Sequence, residues 1–545
     1  MPPDDPGEAE VLEPPTEYSV RRSRLTLACS VLVVVLVTAY RLKSLSIARY
    51  PGHADPAFYY YVAQNLATGR GASVDYVWQF LGGFPPLHHY AFDYWLPGPP
   101  LLMAAALRVH HSLSAALAVS VAMSVVLAIA TFMLARQLSR SWWVPPVAMA
   151  IVVLQPNVSH ATVQSEAGIY LAAFGVLAMC AAVGARQRPW LWLVAGALGG
   201  LANLSRSEGL LLVLVMALAA IGSSESGRRV RSLLSLAAGY LVVMAPLFVV
   251  NVQRLGSPLP RTTSLSPFIN RFEDIYALHV HASVGALFAG GIDRFVLDRL
   301  AALQIHLGSL FEAFAAIDAV LVILLVGRAM QLAGPVVVGP PATWSRRAAN
   351  SAWFVPVGFA VAVFGFWALI APRISSGGAL SKSLATVLPV LVIAALIQLD
   401  RLTVPGRAKL VVCVLLVLVP ATSVATITVF DLHFNNRKGA AAAKMRPMLQ
   451  AEQKCLDRPV VLMTRNPWEI TQATGFPTVQ IPNGPLSDIL RVAAKYHATD
   501  IELNATRPAL GDRTQLLASR VLTRTKHFPL RQVYRITADV GTPTC

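Results

Sequence analysis

The chain has 545 residues, of which 55% are apolar and only 13% charged. A soluble protein of this size would carry about 25% charged residues, so a soluble globular enzyme is excluded and a multi-span membrane protein is implied. The formal net charge of +17 does not imply a nucleic-acid partner, because the basic residues are scattered between apolar runs, as membrane-side charge bias requires.

The first 24 residues, beginning "MPPDDPGEAEVLEPP", are rich in proline and acids and read as a disordered cytoplasmic N-terminus. They have the pattern of neither a signal peptide nor a transit peptide. About eleven spans follow, at roughly 25–47, 113–135, 143–161, 165–185, 190–205, 208–222, 232–252, 309–327, 351–371, 383–399 and 408–431. "PPLLMAAALRV" is too short to cross and reads as an interfacial helix. Arg21, Arg22 and Arg24 precede the first span, and "ARQLSR", "ARQRP", "SGRRVRS", "WSRRAAN" and "DRLTVPGRAK" fill alternate connections. That bias predicts a cell-membrane protein with a cytoplasmic N-terminus and an extracytoplasmic C-terminus.

Three long segments then lie outside: a first loop over about 48–112, a second over about 253–308, and the tail from about 432 to 545. In the tail the pattern changes. "RPVVLMT" and "TDIELN" read as strands and "LSDILRVAAKYH" as an amphipathic helix, which predicts a small α/β domain after a transmembrane domain over 25–431. Cys29, Cys180 and Cys413 fall inside apolar runs, whereas Cys455 and Cys545 lie in the tail, where they could pair in an oxidising compartment or remain free thiols.

The first loop opens with "HADPAFYYYVAQNLATGRG". Asp55 suits an N-cap, Pro56 the first helical position and Gly69 the end, so a helix over this stretch is predicted. Phe58, Val62 and Leu66 form one stripe, with which the helix could lie on the membrane surface. Asp55 is either only a cap or also a reactive carboxylate. Ionisable groups recur at other span ends on the same side: Glu166 in "VQSEAGIY", Arg206 and Glu208 in "LSRSEG", and Arg373 and Lys382 around "SSGGAL". Charge at membrane depth costs roughly 2.5 kcal/mol or more and marks function or pairing. An Arg206–Glu208 ion pair and snorkelling of Arg373 and Lys382 to headgroups are the structural alternatives. The functional reading has the cations bind the phosphate of an anionic lipid while a nearby carboxylate takes a proton from an incoming hydroxyl.

Ordered along the chain, "HADPAFYYYVAQNLATGRG", "DYWLPGPPLLMA", "QSEAGIYLAAFGVLAM", "GLANLSRSEGLLL" and "APLFVVNVQRLGSPLP" resemble landmarks of the GT-C superfamily of membrane glycosyltransferases. Within it, the sequence most resembles the bacterial relatives of protein O-mannosyltransferases and of lipid A aminoarabinose transferase. The stretch from "RNPWEITQATG" to "HATDIEL" resembles the outer domain of some members. The resemblance implies a mostly α GT-C fold and a polyprenyl-phosphate sugar donor, with Asp55 as general base of an inverting transfer to a glycan, protein or lipid acceptor. The functional reading of the residues has the donor phosphate meet Arg206, Arg373 or Lys382, with Glu166, Glu208, Asp93 and Tyr59 as supporting residues. Many members carry a second acid after the first, where this chain has Pro56; Asp75 or Asp93 could replace it. Some relatives bind a divalent metal, for which His53, His88, His89 and Asp93 are candidate ligands. The tyrosines at 59–61 could stack on sugar rings or anchor the loop at the interface. The rival functions are a flippase or transporter for lipid-linked sugars, expected to show inverted repeats and broken helices, and an inactive binder of polyprenyl phosphate.

Overall fold

Long apolar runs can satisfy their backbone in lipid only as helices, and helices dominate the computed structural model. It describes residues 17–52, 54–223, 226–269, 271–313, 351–371, 379–403, 405–456, 459–504, 519, 522–528 and 531–536. Helix α1 (Glu17–Ser44) already begins inside the stretch expected to be disordered, because "EYSVRRSRL" continues into the apolar run without a breaker. Helix α2 (Asp55–Ala67) is followed by strands β1 (Ser73–Val77) and β2 (His88–Tyr90) and by α3 (Gly98–Val109). Then come α4 (Leu113–Leu138), α5 (Val144–Leu154), α6 (Pro156–Val163), α7 (Ala167–Gly184), α8 (Leu191–Ser205), α9 (Glu208–Ser223) and α10 (Ser226–Leu255). Helices α11 (Gly291–Ala313), α12 (Phe354–Gly365), α13 (Ala379–Arg401), α14 (Gly406–Ala443) and α15 (Arg446–Leu456) complete the bundle and lead into the tail.

Among the described residues, six helices are long and apolar enough to cross a membrane, or seven if the bent pair α5–α6 counts as one. The expected count of eleven is therefore not established. At 15 and 16 residues, α8 and α9 fall short of the ~20 that a bilayer core requires, and most of the expected span 309–327 lies outside the described residues. Leu25, Val31, Leu32, Val35 and Leu36 of α1 stay exposed, which suits a surface wetted by lipid rather than water. Ile151, Ile169, Tyr170, Met179, Phe359 and Ile393 pack in the interior.

The α5–α6 junction bends by 54°, where the sequence pattern predicts one span. Pro156 is the cause: it has no N–H to donate and its ring opposes continuation. Arg41 of α1 is fully buried there. Its guanidinium donates to the Val153 carbonyl at 2.8 Å, to Ser159 Oγ at 2.8 Å and to Ser124 Oγ at 3.3 Å. The break thus keeps a partner for a carbonyl that the proline leaves exposed.

The tail contributes β3 (Leu462–Thr464), α16 (Pro467–Thr474), β4 (Thr478–Gln480), α17 (Leu486–Tyr496), β5 (Asp500–Asn504), β6 (Leu522–Phe528) and β7 (Arg531–Ile536). The strands expected at "RPVVLMT" and "TDIELN", and the amphipathic helix between them, are present. Their sheet, however, is not confined to the tail. Its order is β2-β1-β4-β3-β5-β7-β6, with Tyr76 of the first loop opposite Thr478 in a parallel pair. The second loop joins as well: Arg465 binds both oxygens of Glu273 at 2.9 and 2.8 Å, and the Phe80 N–H donates to the Ile275 carbonyl. The boundary expected at 431/432 falls within α14, which runs unbroken to Ala443. Cys455 is disulfide-bonded and Cys29, Cys180 and Cys413 are free; Cys545, with which Cys455 could pair, lies outside the described residues.

Candidate active site

Helix ends assemble the site. Asp55 opens α2, Glu166 precedes α7, Arg206 follows α8, Glu208 opens α9, and Lys382 lies in the first turn of α13. Helix N-termini favour anions through their unpaired N–H groups and dipole, which stabilises Asp55, Glu166 and Glu208 where they stand. Close backbone approach brings α7 and α13 together: a Cβ at Gly168 would overlap the Lys382 carbonyl oxygen, so any side chain there would push Lys382 away from Glu166.

Lys382 Nζ donates to Asp55 Oδ2 at 2.5 Å and lies 3.9 Å from Glu166 Oε1. Arg206 donates to Glu208 Oε1 through Nη2 at 2.6 Å and Nε at 3.1 Å. Ser383 Oγ, next to Lys382, donates to the same Glu208 oxygen at 2.6 Å, linking the two ion pairs. Arg206 is within electrostatic reach of Asp55 and Tyr59, and Tyr59 senses Asp55, Arg206 and Glu166. Six of the expected residues therefore converge on one locus: Asp55, Tyr59, Glu166, Arg206, Glu208 and Lys382. Arg373 lies outside the described residues.

Several expectations change. Ala54, not Asp55, is the N-cap residue of α2, and no side chain caps the helix; Asp55 is therefore not a mere cap, since its carboxylate is spent on Lys382. Lys382 does not snorkel. The Arg206–Glu208 pair, by contrast, exists as the structural alternative had it. Phe58, Tyr59 and Val62 are buried in protein rather than laid on lipid, because α3 and the tail cover α2. Tyr61 is also held inside, donating to Asp75 Oδ2 at 2.5 Å. Burial pushes the Asp75 carboxyl up, but hydrogen bonds from Tyr61 and His88 outweigh it and hold it below its ordinary value. Asp75 is thus committed away from Asp55 and does not replace the missing second acid. Asp93 lies 3.7 Å from His89 Nε2, and burial pushes its carboxyl up to about 7.

Among the described residues, the candidate ligands do not assemble into a metal site. His88 Nδ1 donates to Asp75 at 2.7 Å, while His89 Nδ1 donates to the Pro86 carbonyl at 2.8 Å. These are two separate pairs, and no cluster of three or more His, Cys, Asp or Glu side chains placed to hold a metal occurs among the described residues. His53 lies outside them.

Sequence reasoning missed Ser383, and it missed the backbone before two of the acids. Ala54 has φ 60° and Ser165 φ 52°, a region that non-glycine residues rarely adopt. Both immediately precede site acids, Asp55 and Glu166. The neighbouring Lys382 was the available signal for Ser383; no local pattern announces the positive φ values. Also unforeseen are the bonds from His160 Nδ1 to Asp431 Oδ2 at 2.8 Å and from Asn435 Nδ2 to Gln164 Oε1 at 3.0 Å, which tie α6 to α14 just before Glu166.

No family model matches the chain, and no curated protein is a detectable relative of it. Solved structures do resemble it. ArnT from Cupriavidus metallidurans, bound to undecaprenyl phosphate and in the apo state, superposes with a TM-score of 0.54 at 14% identity, covering 94% of this chain and 99% of that one. The mycobacterial arabinofuranosyltransferase AftD gives a TM-score of 0.42 at 12% identity, over 95% of this chain and 40% of that one. At that identity the ArnT likeness shows the fold alone: the chain has the membrane-protein fold of ArnT over nearly its whole length.

Proposed function

We propose that the protein transfers a sugar from a polyprenyl-phosphate donor to an acceptor hydroxyl with inversion at the anomeric carbon. The observation that carries this reading is the contact of Lys382 with Asp55 beside Glu166 and the Arg206–Glu208 pair. The two cations face three acids, so donor phosphate competes with carboxylates for both. As phosphate draws Lys382 toward itself, Asp55 is released to act as a base. The acceptor O–H proton passes to Asp55, the acceptor oxygen bonds to the anomeric carbon, and the bond from that carbon to the phosphate oxygen breaks. Polyprenyl phosphate leaves with one more negative charge, which Lys382 and Arg206 stabilise without a general acid; Arg373 is the third candidate for this task. That a fold neighbour is described as bound to undecaprenyl phosphate supports the donor class. Glu166, Glu208 and Tyr59 position the two cations and the base.

Chain direction supports one sidedness for the site. Helices α4, α7, α9 and α13 start at the site face and end near Arg136, Arg186, Arg228 and Arg401 respectively. The basic connections therefore sit opposite Asp55, which under the positive-inside rule supports a site face and tail outside the cytoplasm.

Turnover by the purified Asp55→Asn protein, measured with polyprenyl-phosphate-linked mannose, arabinose and aminoarabinose, tests the mechanism. Loss of a positioned base costs about 10²–10⁴-fold in rate; a variant as fast as the parent overturns it. The break between α5 and α6 is the one observation that favours a transporter, since broken helices line transport sites. Arg41 fills that break, however. Reconstituted vesicles that move a lipid-linked sugar between leaflets without transferring it would support the transporter instead.

A further inference from the structure

A cavity of about 370 Å³ lies on the site face where the first loop meets the tail. Its lining comes from two distant stretches. Arg49, Tyr60 and Gln64 belong to the loop and α2, and Arg446 and Gln472 come from α15 and α16, with Leu113 at the start of α4. Tyr60 and Gln64 follow Asp55 on the same helix by five and nine residues, or about 8–14 Å at 1.5 Å per residue.

We infer that this cavity is the acceptor subsite and that it takes an anionic sugar unit; this rests on the transfer reaction proposed above. The volume falls within the ~300–1,000 Å³ of ligand sites, room for one or two sugar rings. Two guanidinium groups line it, and none of the described residues lining it is an acid. Arg446 spends Nε and Nη2 on the Thr474 and Ala473 carbonyls, which locks its plane and leaves further N–H groups of the same fork. Gln472 donates to Gln64 Oε1 at 3.3 Å, yet its own Oε1 is buried without a partner. A buried acceptor left unmatched is costly, and a sugar hydroxyl would supply the missing donor. The floor is rigid: Asn436 of α14 accepts from the Arg49 N–H at 2.7 Å and donates to the Ile47 carbonyl at 2.8 Å. A Cβ at Gly439 would overlap the Tyr50 ring, so that ring lies flat on α14. Arg49 itself is exposed at the rim, where it meets incoming charge. Because five of the eleven lining residues come from the tail, the tail takes part in acceptor recognition.

The test uses full-length Asp55→Asn protein in detergent and digalacturonate as probe, with binding read by saturation-transfer NMR. Digalacturonate should bind, and maltose, its neutral counterpart, at least tenfold more weakly. Arg49→Gln and Gln472→Ala should each weaken digalacturonate binding at least tenfold. Arg49 is exposed, so its substitution leaves folding intact, and Gln64→Glu, which keeps size but adds repulsive charge, should weaken binding as well. The inference is overturned if digalacturonate does not bind, if the three variants bind it unchanged, or if phosphate or phosphatidylglycerol vesicles occupy the cavity and the disaccharide fails to displace them. The last result would identify a headgroup site. Since binding is read in a variant without its base, these outcomes are independent of whether Asp55 drives turnover.

Discussion

Ala54 and Ser165 hold positive φ immediately before Asp55 and Glu166, and each costs roughly 1–2 kcal/mol against an ordinary conformation. Strain of this kind persists where the surroundings fix it, and it clusters at reactive sites. Ala54→Gly should therefore raise thermal stability in detergent by about 1 kcal/mol while lowering kcat, because the carboxylate loses its fixed aim at Lys382. An unchanged melting temperature would show that the backbone is not strained there. Asp93 gives a second residue-level expectation. Its folded value of about 7 lies above its ordinary 3.8, so the folded state holds a proton that the unfolded state releases. Stability should be greatest below about pH 4 with respect to this group, fall as pH rises from 4 to 7, and level off above. The upper limit of the loss is about 4 kcal/mol at 1.36 kcal/mol per pKa unit. Asp93→Asn should remove that slope and stabilise the protein at pH 7.5, as melting curves across pH would show. The sequence makes the recurrence of acids and cations at span ends legible, and with it most of the site. It does not make legible that Lys382 would hold Asp55, since 327 residues separate them and no local pattern encodes that pairing.

At the scale of elements, the bend between α5 and α6 sets the approach to Glu166. Helix α6 is held by Arg41 at its start, by Ser120 Oγ donating to the Thr162 carbonyl at 2.7 Å, and by His160 on Asp431. Hydropathy averaged over the window reads 143–161 as one span, because the strongly apolar Val144–Leu154 outweighs the polar Gln155, Asn157, Ser159 and His160 that follow. Pro156 was the visible breaker, but a proline inside an apolar run also fits a kinked helix. Arg41 was invisible as a partner, since arginine near a span end ordinarily reaches for headgroups. Arg41→Met should leave the Val153 carbonyl and Ser159 hydroxyl buried without a donor, at roughly 1–3 kcal/mol per unmatched group. The melting temperature in detergent should fall accordingly. Arg41→Lys should recover part of the loss, as an ammonium can reach one acceptor but not both. Equal stability in all three proteins would mean that the break needs no cap.

For the whole molecule, the important feature is that one sheet draws on both ends of the chain. The strands of the tail were legible from short β-rich runs bounded by turns, and so was the helix between β4 and β5. The entry of β1 into that sheet was not, because "SVDYV" reads as any short strand and parallel pairing with a segment some 400 residues on leaves no local trace. The seam is apolar and aromatic. Trp468 of α16 lies 5.8 Å from Trp78 and 5.9 Å from Trp95, centroid to centroid, and Trp95 lies 4.4 Å from Phe58. Phe58 follows Asp55 by three residues, about one helical turn, so packing in the tail bears on the direction of the carboxylate proposed as base. Trp468 is 3% exposed, and truncating a buried tryptophan to alanine costs about 3–5 kcal/mol. Trp468→Ala should therefore open the first loop to proteases and lower kcat, though the residue lies outside the site. If the variant resisted proteolysis as the parent does but lost turnover, Trp468 would be acting on substrate rather than on the seam. If it kept both properties, the tail would be a passive cover, and the coupling of sheet to base would be refuted.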